Sequence, residues 1–401
     1  YLTLTARNDW SSTLPKNNRS FFYPGVTASY IFTETLPESL KSVINYGKFR
    51  IAWGKTGNDA APYMVNPVYA QSGANGYWNN STTTYMFPYT KTGVNAYTVG
   101  NVLGSNTLSP EMTSEFELGL NMSFLKDRLS FDASFYNRIT DKQIYSLDMD
   151  YSSGYTAQNT NIGKIRNRGF EILLKGTPIK TKDFSWDLTW NFTKNWSKVL
   201  SLPEELGGQA SIYGFSGGTG LYAEVGKPLG VFKAEVPQRT ADGKIIVNPS
   251  TGLPIAQANM QTVGDMNNKY QMGFGTTIRY KTLSLSADLD VRRGGLMYSH
   301  TKNITYFTGN AIQTTYNSRS LFIIPNSVCA VTAADGKTTT YVPNTTPLDE
   351  TNYFNYFYAG GSDMGSGFLI DKSYVKLRSV VLTWELPKSW LAKTPFTTVR
   401  L

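Results

Sequence analysis

Glu115-Phe116-Glu117-Leu118-Gly119-Leu120-Asn121-Met122-Ser123-Phe124 alternates without a break. Phe116, Leu118, Leu120, Met122 and Phe124 fill one set of positions, and Glu115, Glu117, Gly119, Asn121 and Ser123 fill the other. A short Lys126-Asp127 turn follows, after which Leu129, Phe131, Ala133 and Phe135 alternate with Ser130, Asp132, Ser134 and Tyr136. Successive side chains of a strand point to opposite faces, so this segment reads as a β-hairpin with one greasy and one polar face. Working outward, the same grammar returns at Phe170-Ile172-Leu174, Phe184-Trp186-Leu188-Trp190-Phe192 and Met272-Phe274-Thr276-Ile278-Tyr280. A Lys281-Thr282 turn then leads into Leu283-Leu285-Ala287-Leu289-Val291. Earlier strands lie at Leu2-Leu4-Ala6, Val26-Ala28-Tyr30-Phe32 and Phe49-Ile51-Trp53. A late one runs from Tyr374 to Leu386, and a further strand is expected after Phe396.

The connections alternate too. Short turns fall near 34–45, 125–127, 177–183, 281–282 and 387–395, while long polar stretches fill 8–19, 55–111, 145–164, 199–268 and 294–370. Short turns at one end and long loops at the other are the asymmetry of an outer-membrane barrel. Strands of about 9–14 residues are long enough to cross a tilted hydrocarbon layer. A soluble sandwich has strands of roughly 5–6 residues and few loops beyond about 15. The reading is therefore all-β: a transmembrane antiparallel β-barrel contributing about eleven strands, with long extracellular loops. The mean hydropathy of -0.30 is compatible, because only every second wall residue must be apolar.

Composition narrows the chemistry. Only 17% of the 401 residues are charged and 14% are aromatic, which favours strands over long helices. The net charge of +9 comes from scattered lysines and arginines, so nucleic acid is not expected. A single cysteine, Cys329, excludes an internal disulfide, and a single histidine, His300, leaves little scope for metal or triad chemistry. No signal peptide is visible at Tyr1, and the chain begins inside a strand-like pattern.

Each motif has a duller explanation. Gly54-Lys55-Thr56 resembles the end of a phosphate loop, but Phe49 stands where the first glycine should be. His300 lacks a nucleophile elbow nearby, so no catalytic residue is assigned. Asp148 with Asp150, and Asp288 with Asp290, place paired carboxylates on one strand face, where they line the lumen or its rim. No metal or cofactor is expected. Lys164-Ile165-Arg166-Asn167-Arg168 opens a strand and supplies lumen or rim charges. Tyr46, Trp53, Phe124, Tyr136, Trp186, Trp196, Tyr280 and Trp384 fit interfacial girdles or ordinary strand aromatics. The rings of Tyr77, Trp78, Tyr353, Phe354 and Tyr356, with Phe357 and Tyr358, lie in two of the long loops, 55–111 and 294–370. They suit substrate stacking, partner contact or packing of the loops on themselves.

Several segments together carry a family resemblance. Arg7-Asn8-Asp9-Trp10-Ser11-Ser12 resembles the "R-x-D-x-S-S" strand of the SusC/RagA family of TonB-dependent outer-membrane transporters. Phe22-Tyr23-Pro24-Gly25-Val26 and Phe49-Arg50-Ile51-Ala52-Trp53-Gly54-Lys55-Thr56-Gly57-Asn58 are similar to it as well. Leu108-Ser109-Pro110-Glu111-Met112-Thr113 through Glu117-Leu118-Gly119 resembles "L-x-P-E-x-T-x-x-x-E-x-G". Asn161-Ile162-Gly163 through Asn167-Arg168-Gly169-Phe170-Glu171 resembles "N-x-G-x-x-x-N-x-G-x-E". Val225-Gly226-Lys227-Pro228-Leu229-Gly230 resembles the "V-G-x-P-x-G" loop, and Tyr374-Val375-Lys376-Leu377-Arg378 through Leu386-Pro387 the closing strand.

The resemblance implies a 22-stranded barrel in the outer membrane of a Gram-negative, Bacteroidetes cell. This chain, residues 1–401, would be the C-terminal portion of that one barrel domain, with the plug and the TonB box outside it. The implied activity is energised uptake of oligosaccharides or oligopeptides. The implied partners are a SusD-like surface lipoprotein, the TonB–ExbB–ExbD complex acting through the N-terminal part, and outer-membrane lipid. Alternatives are a passive porin, a barrel enzyme and a soluble glycan-binding β protein. In the barrel reading Phe116, Leu118, Leu120, Phe131, Phe135, Trp186, Leu188, Trp190, Phe274, Leu285 and Leu289 face lipid. Glu117, Asn121, Asp132, Asp187, Asn191 and Asp288 face the lumen.

Overall fold

The structure, a computed structural model, describes residues 1–71, 97–333 and 339–401; Tyr77 and Trp78 lie outside them. Ten strands form one antiparallel wall: β1 (Leu2–Trp10), β2 (Ser20–Ile31), β3 (Ile44–Asn58), β4 (Glu111–Phe124) and β5 (Leu129–Asp148), then β6 (Ala157–Lys180), β7 (Phe184–Ser201), β8 (Tyr270–Tyr280), β9 (Leu283–Arg293) and β10 (Tyr374–Trp384). Each strand pairs with its predecessor, so the path through the wall follows chain order. Among the described residues none of the helices is long and apolar enough to cross a membrane.

Three details differ from the sequence reading. The sheet holds eleven strands, but the eleventh is the two-residue Val102–Leu103, which runs parallel to the start of β6 beside the ten of the antiparallel wall. The segment after Phe396 forms no long strand. Instead, a short helix over Lys388–Leu391 is followed by a return of the chain, where Leu386 N donates to Val399 O and Trp384 and Leu401 donate to each other's carbonyls. The stretch 145–164 is mostly strand, because β5 and β6 continue pairing as far as Asp148 opposite Ala157. At 20, 24 and 18 residues, β5, β6 and β7 run well past the 9–14 residues needed to cross a bilayer.

Register assigns the faces. Leu120, Ala133, Ile172, Phe192, Met272, Val291 and Val375 follow one another across seven strands, and Met122, Phe131, Leu174, Trp190, Phe274, Leu289 and Leu377 form the adjacent row. All eleven residues expected to face lipid lie on this side, and all six expected in the lumen lie on the other. Tyr136 departs from the girdle reading, since it lies opposite Glu117 on the polar face and donates to Asn195 Oδ1 at 3.1 Å. Tyr46, opposite Ser123, shares that polar register.

Side chains of the polar face bond to one another laterally. Arg50 reaches Asp132 at 3.1 Å and Ser134 at 3.2 Å, Ser134 donates to Glu117 at 3.3 Å, and Asn121 donates to Asp132. Glycines make room for these long side chains. A Cβ on Gly119 would sit 2.5 Å from Arg50 Nε, and one on Gly273 would sit 2.5 Å from Asn191 Nδ2. The guanidinium and the amide therefore lie flat along the wall. Such partly exposed ion pairs are worth little individually, and their use is to fix the shape of the polar lining.

Candidate functional site

The long connections do not hang loose at their rim. Residues 202–269 and 294–373 fold together over a shared core of Ile245, Val247, Tyr306, Ile324, Cys329, Leu348, Tyr353, Tyr356, Phe357 and Phe368. Ile245–Val247 pairs in parallel with Ser327–Cys329, and Leu296–Tyr298 pairs with Leu369–Asp371. Two helices complete the assembly, α1 (His300–Phe307) and α2 (Glu350–Tyr358). Ser299 caps α1 by accepting from Lys302 N at 3.2 Å, and Asp349 caps α2 by accepting from Asn352 N at 2.6 Å.

The helical period sorts the candidate rings. In α2 positions 353, 356 and 357 share a face and are buried, whereas Phe354 and Tyr358 share the opposite face and are exposed. Tyr353 donates to Tyr316 O at 2.7 Å, and Tyr356 shares a bond with Ser362 Oγ at 2.6 Å. Thus Tyr353 and Tyr356 lie in the core, and Phe354, 51% exposed, lies outside it. Sequence reasoning missed Phe307, also exposed, whose ring centroid is 5.5 Å from that of Tyr358. Ile304, one turn back on α1, extends this patch. The signals that could have revealed the helices were the caps, Ser299 and Asp349.

A second piece folds against the polar side of the wall. The hairpin Gln209–Phe215/Thr219–Glu224 packs Ala210 and Ala223 on Val199 of β7. The Val225–Gly230 motif holds it there: Val199 N donates to Lys227 O and Gly226 N donates to Val199 O, each at 2.9 Å. Gly226 and Gly230 adopt φ of 86° and 81°, which a side chain rarely tolerates. Beside the hairpin, Ile165, Val199, Leu202, Ile212 and Leu229 line an apolar recess of about 200 Å3. Farther down the wall lies a polar recess of about 310 Å3, lined by Glu115, Glu117, Tyr136, Arg138, Asn167 and Glu171 among others. A passage bounded by this wall thus has an apolar collar at its mouth and a polar barrel wall beneath.

The remaining motifs fall into place. Asp288 accepts from Ser379 at 2.7 Å, and Asp290 accepts from Tyr374 at 2.8 Å and pairs with Arg378, all on the polar face. Asp148 and Asp150 do not share a strand face, because β5 ends at Asp148; Asp150 caps a short turn by accepting from Ser152 N at 2.8 Å. Gly54-Lys55-Thr56 lies inside β3, paired with Glu115, Ser114 and Thr113. His300 is the exposed first residue of α1. Lys164-Ile165-Arg166-Asn167-Arg168 opens no strand, since β6 begins at Ala157, and its arginines are not lumen charges. Arg166 and Arg168 fall on the apolar side, and Asn167 between them falls on the polar side.

The core rings give this rim an alkaline limit. Burial raises the phenols of Tyr306, Tyr353 and Tyr356 above the ordinary tyrosine range. In unfolded loops they would ionise near about pH 10. Folding favours the neutral rings, so their contribution is whole below that pH and is lost as pH rises toward the folded-state values. Tyrosinate absorbance with protease nicking should show the rim opening above about pH 10, and cleavage unchanged while those phenols ionise would contradict this.

A family profile described as TonB dependent receptor-like, beta-barrel matches residues 1–242. TonB-dependent receptor P3 of Formosa agariphila is 24% identical over the full chain, which spans 38% of that relative. TonB-dependent receptor SusC of Bacteroides thetaiotaomicron is 31% identical over 53% of the chain, corresponding to 20% of its own length. Among solved structures, the RagAB peptide transporter superposes with a TM-score of 0.71 at 21% identity, covering all of this chain and 41% of the matched one. The chain therefore spans well under half of these relatives' length. The profile match, the paired strands and the split between apolar and polar faces agree: the chain belongs to the TonB-dependent receptor-like β-barrel family.

Proposed function

We propose that this chain is the C-terminal part of the wall of a SusC-type importer in the outer membrane of a Bacteroidetes cell. The observation that carries the reading is the ten-stranded wall, apolar on one side and polar on the other, with a folded loop assembly at one rim. Its mechanism is conformational. The polar face bounds a passage filled by a plug, TonB–ExbB–ExbD supplies the force that rearranges the plug, and the long-loop rim faces the cell exterior. A SusD-like lipoprotein closes over that rim and captures oligosaccharides or oligopeptides. The exposed rings of Phe307, Phe354 and Tyr358 belong to the partner or substrate contact, while Tyr353 and Tyr356 hold the helix that presents Phe354. Tyr77 and Trp78, outside the described residues, remain candidates for partner or substrate contact in this proposal.

Open strand edges support the need for more wall. Among the described residues β1 pairs only with β2, and a bare edge in lipid costs several kcal/mol per unpaired polar group. Further strands of the same polypeptide close the barrel in this reading. The decisive experiment follows labelled oligosaccharides and oligopeptides into cells carrying the full-length protein, with and without a protonophore. Energised import predicts that uptake of one cargo class stops when the proton gradient collapses. Undiminished uptake would make the protein a passive pore and reject the proposal.

A further inference from the structure

Four cations of β6 and β7, Arg166, Arg168, Lys194 and Lys198, cluster on the apolar side of the wall. On β6 the outward series runs Ile172, Phe170, Arg168, Arg166, and on β7 it runs Phe192, Lys194, Trp196, Lys198. Register places Lys194 beside Phe170, Trp196 beside Arg168, and Lys198 directly opposite Arg166. Like charges directly opposite on neighbouring strands destabilise a sheet unless an anion lies between them. Among the described residues none of these four side chains forms an ion pair or hydrogen bond. By contrast Lys164, next in the series, has Asp141 at 3.3 Å. Arg168 and Lys198 are exposed.

Their height is informative. Nine residues separate Ile179, near the short-turn end of β6, from Phe170. At ~3.3 Å per residue and a tilt of ~40°, that is about 23 Å, close to the apolar band of about 25 Å around such barrels. Arg168 is the first outward position beyond it. Phe135, Phe170 and Trp196 form an aromatic cluster at this level, with centroid separations of 5.1 and 5.9 Å, and Lys194 Nζ lies 4.6 Å from the Trp196 ring centre. Basic residues directly beyond an apolar, ring-flanked surface are placed to meet anionic lipid headgroups.

We propose that Arg166, Arg168, Lys194 and Lys198 form a binding site for the phosphate groups of a phosphorylated glycolipid in the membrane leaflet next to the long-loop rim. The acyl chains lie along Ile172, Leu174, Phe192 and Trp190, and the phosphates neutralise the opposed Arg166 and Lys198. This rests on the reading that the wall spans the outer membrane with its long loops outside.

The test uses the full-length protein, purified in mild detergent, with bis-phosphorylated lipid A and its dephosphorylated form as probes. Native mass spectrometry should show lipid A retained by the wild type, and retention reduced about a hundredfold in the variant R166S/R168S/K194S/K198S. Dephosphorylated lipid A should not be retained by either. K126S, changed in the opposite rim's turn, should behave as wild type. Heat-modifiable mobility of membrane fractions reports folding and insertion separately. A folded, inserted quadruple variant that retains lipid A as well as the wild type overturns the site, as does equal retention of the dephosphorylated lipid. Absence of the wild-type protein from the outer membrane overturns the location on which the site rests. Should the quadruple variant not fold, the pairs R166S/R168S and K194S/K198S are compared in the same way.

Discussion

Replacing Phe368 with alanine is expected to cost about 3–5 kcal/mol in the stability of the rim assembly, the range for emptying a buried aromatic site. The ring is wholly buried, edge-on to Tyr306 and Tyr298 at 5.9 and 6.3 Å. It also packs against Gly217, where a Cβ would lie 2.7 Å away, and so joins the tip of the 209–224 hairpin to the 294–373 loop. Nearby bonds hold the same junction: Thr219 donates to Gly365 O at 2.8 Å, and Lys302 donates to Gly367 O at 2.5 Å. Limited proteolysis of the full-length protein should then cut within 202–269 and 294–373 while heat-modifiable mobility of the barrel is unchanged. Wild-type protease resistance in Phe368→Ala would show that the two loops do not depend on this ring.

Leu118→Arg should cost about 1–2 kcal/mol, between the ~2–4 of a cation at the bilayer midplane and the ~0–1 near an interface, because Leu118 shares the row of Phe170, one step below the basic positions. Leu118 sits in a row with Ile51 on β3, Phe135 on β5 and Phe170 on β6. Among the residues paired with Leu118 and its neighbours, a guanidinium there meets no carboxylate on its own face; the nearby Glu117 and Asp132 belong to the other. Unfolding of the full-length protein by denaturant in lipid vesicles measures the difference. A change within about 0.5 kcal/mol, the ordinary size for a surface substitution, would mean that Leu118 is not in contact with lipid.

The wall was legible in the sequence because a strand has a period of two and its register leaves no freedom. Once Phe116, Leu118 and Leu120 are assigned to one side, Phe131 and Phe135 follow from pairing alone. The same rule, carried back from Phe170, would have put Arg168 and Arg166 outside. It fails when β6 is begun at Lys164 instead of Ala157, because mid-strand positions then read as rim positions. The rim assembly was less legible. Its key pairing, Ile245–Val247 with Ser327–Cys329, joins residues about eighty positions apart, and local patterns carry no trace of such a partner. The aromatic run at 353–358 was visible, but the helix that buries Tyr353 and exposes Phe354 was signalled only by Asp349.

That remote pairing has a consequence for the order of assembly. Between its two halves the chain makes β8 and β9, a hairpin of the wall. The 245–247 and 327–329 segments cannot meet in their final positions until that hairpin has joined β7, since it fixes where the second loop starts. Closing so long a loop is slow unless the wall has already brought its ends together. The rim is therefore a late event in biogenesis, completed on a finished scaffold. A strand defect in β8 should appear first as an immature mouth on a membrane-inserted protein, recognisable by antibodies that bind only the separated loops.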